Sequence, residues 1–116
     1  MAKAKTTQTK LPATFRAFTE RFPDLAAAHE RIAKIVDAAG PLDRKTCQLI
    51  KVGLSIGAGL ETATRSHIRR AMEHGATRAE IEQTILLAMN TVGFPRTAAA
   101  LQWAQALTAK RRQRSA

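Results

Sequence analysis

Apolar residues recur along most of the chain at steps of three and four positions, the spacing of one face of an α-helix. Runs in which β-branched and polar residues alternate, which are typical of strands, are absent from the sequence. The pattern therefore predicts an all-α protein, a compact bundle of about six helices. The expected helices cover residues 11–22, 25–39, 44–58, 61–73, 77–91 and 95–109.

Local signals mark where several of these helices begin and end. Gly40 is expected to stop the second helix, and Asp43 is a good N-cap for the third. Gly75 can adopt the left-handed conformation that ends the fourth helix. Thr77 and Glu80 have the spacing of a capping box, which would open the fifth helix.

The second half of the third helix, residues 52–60, carries no charge on any side. A helix that is apolar or small all round is expected to be buried on all sides. Gly53, Gly57 and Gly59 would also let neighbouring backbones approach closely. This segment is therefore predicted to be the central helix or to lie at a subunit interface. Association would suit a chain of 116 residues, because small domains bury a modest share of their surface.

The net charge of +10 is concentrated at the two ends of the sequence. Residues 1–10 and 110–116 are polar and carry seven of these positive charges, so they are predicted to be disordered tails. They flank a single domain, residues 11–109, which is only mildly basic. Aromatic residues for base stacking make up 4% of the chain, so nucleic-acid binding is not expected.

The cysteine count and the hydropathy argue against disulfide-bonded, metal-binding, membrane-spanning and secreted proteins. A single cysteine, Cys47, forms no internal disulfide and gives no metal-ligand spacing, so neither a metal nor another cofactor is expected. No apolar run reaches the roughly 18 residues of a membrane span. The first ten residues contain no apolar signal core. A cytoplasmic protein is the expectation.

His67 is the residue most open to a chemical role. The charged residues of the fourth helix lie on the other side, where Glu61 and Arg65, and Arg69 and Glu73, are spaced as ion pairs. The face with the histidine is small and apolar: Leu60, Ala63, Thr64, His67 and Ala71. Two interpretations remain open from the residues alone. His67 is either a core histidine satisfied by hydrogen bonds or a general acid or base in a pocket.

The sequence resembles the carboxymuconolactone decarboxylase family, which includes the D-type alkylhydroperoxidases. The resemblance extends over about residues 22–107. Its motifs are Leu42–Thr46 (Leu-Asp-Arg-Lys-Thr), Arg65–His67, His74–Ile81 (His-Gly-Ala-Thr-Arg-Ala-Glu-Ile) and Gly93–Arg96 (Gly-Phe-Pro-Arg). It implies a helical bundle of the alkylhydroperoxidase-D-like type that assembles with itself as a homotrimer or homohexamer. It also implies a site lined by the two central helices, near a subunit contact.

The peroxidase branch of the family uses a glutamate, a Cys-x-x-Cys pair and a histidine. By resemblance these positions fall on Gln48, Leu60, Ala63 and His67. Leucine and alanine cannot attack a peroxide, and an amide cannot relay a proton as a carboxylate does. Cys47 neighbours Gln48 but points about 100° away around the helix and is expected to be a small buried side chain. Thiol peroxidase activity is therefore disfavoured.

The thiol-free branch is named for decarboxylation of γ-carboxymuconolactone, a reaction that needs neither metal nor sulfur. The resemblance implies a lyase or isomerase in which His67 gives a proton to carbon. Gln48 would donate a hydrogen bond to a carbonyl oxygen. Arg70 would either pair with a substrate carboxylate or lie on the surface as an exposed arginine. Thr64 and Ser66 are weaker candidates for hydrogen bonds. The alternative that stays open is a family member without catalysis, which forms oligomers or binds a ligand.

Overall fold

Helices are the regular elements of the computed structural model, which describes the backbone of residues 13–115 and the side chains of residues 13–107. The six helices are α1 (Ala13–Arg21), α2 (Pro23–Asp37), α3 (Arg44–Ala58), α4 (Glu61–Glu73), α5 (Arg78–Leu86) and α6 (Phe94–Ser115). The all-α fold with about six helices is therefore confirmed. The basic segment 1–10 lies outside the described residues. None of the described helices has both the length and the apolar character to cross a membrane.

The chain divides into two units, residues 1–41 and 42–116. The described part of the first unit consists of α1 and α2. The rings of Phe18 and Phe22 contact each other at the end of α1, with their centroids 5.4 Å apart and their planes tilted by 47°. Pro23 then begins α2, where its fixed φ suits the first helical turn. Neither helix contains a buried residue.

The second unit contains α3 to α6 and holds the hydrophobic core. The buried apolar residues come from all four helices and the α4–α5 turn: Val52, Ile56, Ile68, Ala71, Ala76, Ile81, Ile85, Ala100 and Ala104. Helices α3 and α4 make the most extensive helix–helix contact of the described chain. Each fully buried isoleucine or valine contributes about 1.5–3 kcal/mol relative to an exposed one. The packing of α3 against α4 is therefore the main support of this unit.

The predicted helix caps of the second unit are present. The Asp43 carboxylate accepts a hydrogen bond of 2.7 Å from the backbone N–H of Thr46 at the start of α3. Gly75 has a φ of +94° just after α4. Gly59 ends α3 in the same left-handed region, with a φ of +74°. Side chains rarely adopt this conformation, which explains a glycine at both stops.

The capping box at the start of α5 is also confirmed, and it makes one tertiary contact. The Thr77 hydroxyl accepts from the backbone N–H of Glu80 at 3.1 Å, and the Thr77 N–H donates to Glu80 Oε1 at 2.8 Å. Glu80 Oε2 also accepts a hydrogen bond of 2.9 Å from Lys45 Nζ on α3. The Thr77 N–H and then the Lys45 ammonium hold the pKa of Glu80 below its ordinary value.

Three predicted helix ends are wrong. Helix α2 ends at Asp37 rather than near Gly40, which is not among the positive-φ glycines of the described residues. Helix α5 ends at Leu86 rather than near Thr91, because the backbone bonds then tighten to three-residue steps. Helix α6 continues to Ser115, past its predicted end near Ala109.

The expectation that residues 52–60 are buried on all sides is half wrong for the single chain. Val52 and Ile56 are fully buried, but Leu54 is 67% exposed. The apolar pattern could not distinguish a helix enclosed by its own chain from one with an uncovered side. Met89 continues the apolar spacing of α5, yet it is exposed, because it lies in the turns after that helix.

Replacing Thr77 with alanine is expected to lower the free energy of unfolding by about 1 kcal/mol, the typical cost of losing an N-cap side chain. Urea unfolding followed by circular dichroism measures this change. Thr62→Ala is the matched control, because Thr62 is an exposed threonine on α4. An equal effect of the two substitutions would contradict the role of the cap.

The lowered pKa of Glu80 predicts a specific loss of stability in acid. Its stabilising effect is fully present above the ordinary value of 4.5 and disappears as the pH falls through the lower folded value. Glu80→Gln keeps an acceptor for the Thr77 N–H but removes the charge. We expect the native protein to be more stable than Glu80→Gln near neutral pH, and this difference to vanish in acid. Urea unfolding of both proteins across the acid range tests this, and a constant difference would refute it.

Candidate acid–base site on helices α3 and α4

Gln48 on α3 and His67 on α4 form a hydrogen-bonded pair. The Nδ1 atom of His67 lies 2.9 Å from Gln48 Oε1, although the two residues are 19 positions apart in sequence. Gln48 is 3% exposed and His67 is half-buried. The pair forms because α3 and α4 run antiparallel and pack along their length. Two predicted site residues are thus brought together.

This contact defines the tautomer of the His67 ring. An amide oxygen can only accept a hydrogen bond, so Nδ1 must carry the proton and donate it to Gln48 Oε1. In the neutral ring the lone pair then belongs to Nε2, which is the nitrogen that can take up or give back a proton. The buried amide also fixes the plane of the ring. The geometry is that of an oriented acid–base group.

The other two predicted site residues lie differently. Thr64 is fully buried, and its hydroxyl donates a 2.8 Å hydrogen bond to the Leu60 carbonyl oxygen, one turn earlier in α4. This contact uses the Thr64 proton inside the helix. Arg70 is half-buried, three residues beyond His67, and its guanidinium forms no ion pair with any described side chain. Arg70 thus remains available on the same helix as His67.

The positions matched to the peroxidase cysteines lie at the start of α4. Leu60 is the N-cap residue of α4 and is 53% exposed, while Ala63 is half-buried in the first turn. The only thiol, Cys47, donates to the Leu42 carbonyl oxygen at 3.7 Å, beside the start of α3. Cys47 is half-buried rather than fully buried as predicted. No described group of three His, Cys, Asp or Glu side chains could hold a metal ion.

Arg96 is a site-supporting residue that the sequence reasoning missed. Its Nη1 donates to the carbonyl oxygens of Ile56 and Gly57 at 3.0 and 3.1 Å, which caps the C-terminus of α3. A cation there also interacts favourably with the helix dipole. A Cβ atom on Gly59 would lie 2.8 Å from the same nitrogen. Arg96 and Gly59 together determine the turn that places α4 against α3. The only signal was its place in the Gly-Phe-Pro-Arg motif.

Comparison with known proteins identifies the family of the chain. The model of the carboxymuconolactone decarboxylase family matches residues 23–106 of the chain. The chain belongs to this family. A search of curated proteins found no significant match. Among solved structures, the chain is similar to apo-lpg0406, a carboxymuconolactone decarboxylase family protein from Legionella pneumophila. The sequences are 26% identical, the match covers 92% of this chain and 88% of the other, and the TM-score is 0.64.

The second unit of this family member also contains a cleft of about 670 Å³. We call it the α3 cleft; its lining residues are Thr46, Leu49, Ile50, Gly53, Leu54, Gly57, Thr84, Leu87, Ala88, Thr91 and Val92. Neither Gln48 nor His67 lines it. The cleft residues of α3 follow a three- and four-residue spacing that places them on the side opposite Gln48. Helix α3 therefore has two distinct faces, one toward His67 and one toward the cleft.

Replacing Gly59 with alanine is expected to destabilise the family fold at the α3–α4 turn. The left-handed conformation alone costs a side chain about 1 to 2 kcal/mol. The contact with Arg96 adds to that cost. Gly40→Ala is the control, since a Cβ on Gly40 meets no atom within 4 Å. Thermal and urea unfolding measure both variants, and equal stability of the two would contradict this account of the turn.

Proposed function

We propose that the protein is a lyase or isomerase that needs no cofactor and acts on a small lactone or keto-acid, with His67 as its acid–base group. The hydrogen bond from His67 Nδ1 to the buried amide of Gln48 carries this proposal. It holds the ring in one plane and one tautomer, which is what directed proton transfer requires. Membership of the carboxymuconolactone decarboxylase family supports the choice of reaction class.

For a decarboxylation, the bond between the substrate carbon and its carboxylate breaks and carbon dioxide leaves. The electron pair of that bond spreads onto the lactone carbonyl as a dienolate. His67 in its protonated form then gives the Nε2 proton to carbon, which restores the neutral ring. Solvent returns a proton to Nε2 before the next turnover. Atoms and charge balance without a metal or a thiol.

Gln48 and Arg70 are assigned supporting roles. Gln48 is a positioning residue, because its oxygen is occupied by His67 and the side chain is almost entirely buried. The hydrogen bond to a substrate carbonyl oxygen that the sequence suggested would use the Gln48 NH2 group rather than its oxygen, and it stays a prediction. Arg70, one turn after His67, is the candidate to pair with a substrate carboxylate. Thr64 is left with a structural role.

Replacing His67 with alanine is expected to lower kcat/KM by about 100- to 10,000-fold, the usual contribution of a general acid or base. Release of carbon dioxide from γ-carboxymuconolactone and related lactones or keto-acids is the assay. His74→Ala is the matched control, because His74 is exposed at the end of α4. Unchanged turnover in His67→Ala would reject the proposal.

Replacing Gln48 with glutamate tests the positioning role separately. A carboxylate beside His67 favours the charged form of the ring, so the pH–rate profile is expected to shift toward higher pH. Gln48→Leu removes the acceptor and is expected to lower kcat without a matching change in KM. A profile that does not move in Gln48→Glu would show that the amide has no influence on proton transfer.

A family member without catalysis is the second candidate, and one observation favours it. The α3 cleft, a concave apolar surface of about 670 Å³, does not include His67. In this case the Gln48–His67 bond is a satisfied polar contact of the core, and the fold serves assembly or ligand binding. Its signature would be native protein that does not turn over these substrates, together with a His67→Ala variant that is less stable than the native protein. Thiol peroxidase activity is not proposed, because leucine and alanine occupy the positions of the redox pair.

A further inference from the structure

Arg96 extends toward α3 from a part of α6 whose backbone is well anchored. Pro95 lies in the first turn of α6, where its fixed φ suits the helix. On the other side of Arg96, the Thr97 hydroxyl donates to the Gly93 carbonyl oxygen at 2.9 Å, and Thr97 is 1% exposed. The base of the Arg96 side chain is therefore held in place by both of its neighbours.

The guanidinium of Arg96 meets the last turn of α3 at two points. Its Nη1 donates to the carbonyl oxygens of Ile56 and Gly57 at 3.0 and 3.1 Å. The Gly59 N–H donates to the same Ile56 oxygen at 3.0 Å. Hydrogen bonds weaken steeply when their geometry changes, so these three contacts fix the direction in which the chain leaves α3.

Helix α4 begins directly after this turn, so the turn also sets the direction of α4. Glu61 is its first residue, and His67 lies about 9 Å further along the axis at 1.5 Å per residue. A tilt of α4 at the turn therefore moves His67 relative to Gln48. Their hydrogen bond measures 2.9 Å and is lost beyond about 3.5 Å, so a shift of under about 1 Å is enough to break it.

The apolar seam between α3 and α4 cannot supply the same control. Val52, Ile56 and Ile68 are fully buried and hold the two helices together. The attraction between apolar side chains has no direction, so it restrains a small tilt of α4 less sharply than hydrogen bonds do. The guanidinium also lies directly against the turn, because a Cβ atom on Gly59 would be 2.8 to 3.3 Å from three of its atoms.

We propose that Arg96 is a positioning residue for His67. By tying the last turn of α3 to the start of α6, it keeps the His67 ring within reach of Gln48 Oε1 and so keeps the proton on Nδ1. Without this tie the ring also takes up the tautomer with the proton on Nε2, which removes the lone pair from the reacting nitrogen. The effect on turnover rests on the proposed function, whereas the effect on the ring does not.

Nitrogen NMR of the full chain with isotope-labelled histidine tests the effect on the ring, because protonated and unprotonated ring nitrogens give separate signals. The chain has three histidines, and His67→Ala assigns the signals of interest. At a pH where the ring is neutral, we expect the native protein to show Nδ1–H and Arg96→Met to show both tautomers. Arg78→Met should keep the native signals. It is the matched control, because Arg78 is an exposed arginine paired with Glu82 on its own helix.

Steady-state kinetics measure the consequence for turnover. Arg96→Met is expected to lower kcat by about 10- to 100-fold with little change in KM, because misplacing a catalytic group by about 1 Å has an effect of this size. Release of carbon dioxide from γ-carboxymuconolactone is the assay, and circular dichroism checks that the variant stays helical. Native protein without turnover would reject the proposed function, and the NMR measurement would still decide the role of Arg96.

Three results would overturn the proposal: a native His67 ring with its proton on Nε2, a folded Arg96→Met variant with the native ring signals, or an equal change in Arg78→Met. If Arg96→Met does not fold, Arg96→Lys decides, since its shorter side chain keeps the charge but reaches the two carbonyl oxygens less well. A mixture of tautomers in Arg96→Lys would support the proposal, and wholly native ring signals would overturn it.

Discussion

The packing of α3 against α4 is the constraint on which the rest of the second unit depends. Val52 and Ile56 on α3 and Ile68 and Ala71 on α4 are all fully buried, so the two helices share one apolar seam. Burial of side chains of this size is the largest favourable contribution to a fold of this length. Helices α5 and α6 then complete the core around the seam. A change in how α3 meets α4 would affect every other contact of the unit.

The turn between these helices determines their register, and through it the site. Gly59 reverses the chain in a left-handed conformation that only glycine adopts easily. Arg96, which lies on α6, donates hydrogen bonds to two carbonyl oxygens in the last turn of α3. With the turn fixed at this point, antiparallel packing brings Gln48 level with His67. The hydrogen-bonded pair of Gln48 and His67 is therefore a consequence of the turn. Arg96 acts on the site through the backbone, without any described contact to His67.

The sequence predicted the local features of the fold better than it predicted the tertiary contacts. The Asp43 cap, the Thr77–Glu80 capping box and the Gly75 stop each depend on residues a few positions apart, so the sequence was sufficient to identify them. The contact of Lys45 with Glu80, 35 positions away, had no such signal. The same holds for Arg96, whose acceptors lie about forty positions upstream. The uncharged segment 52–60 predicted burial correctly for one face of α3 and could not reveal that the other face is uncovered by its own chain.

Compared with the peroxidase branch that the sequence resembles, positions 48 and 60 differ in charge as well as in their reactive atoms. Position 60 is the N-cap of α4, where the helix dipole would stabilise a thiolate, yet it holds an exposed leucine. Position 48 would carry a charge as glutamate but holds a neutral amide that still orients His67. A neutral amide orients the ring but forms no ion pair with its protonated form. The ring can therefore give away the proton on Nε2 without losing the stabilisation of an ion pair. The described site thus contains an oriented histidine, and positions 48 and 60 hold neither of the two charges that thiol chemistry would use.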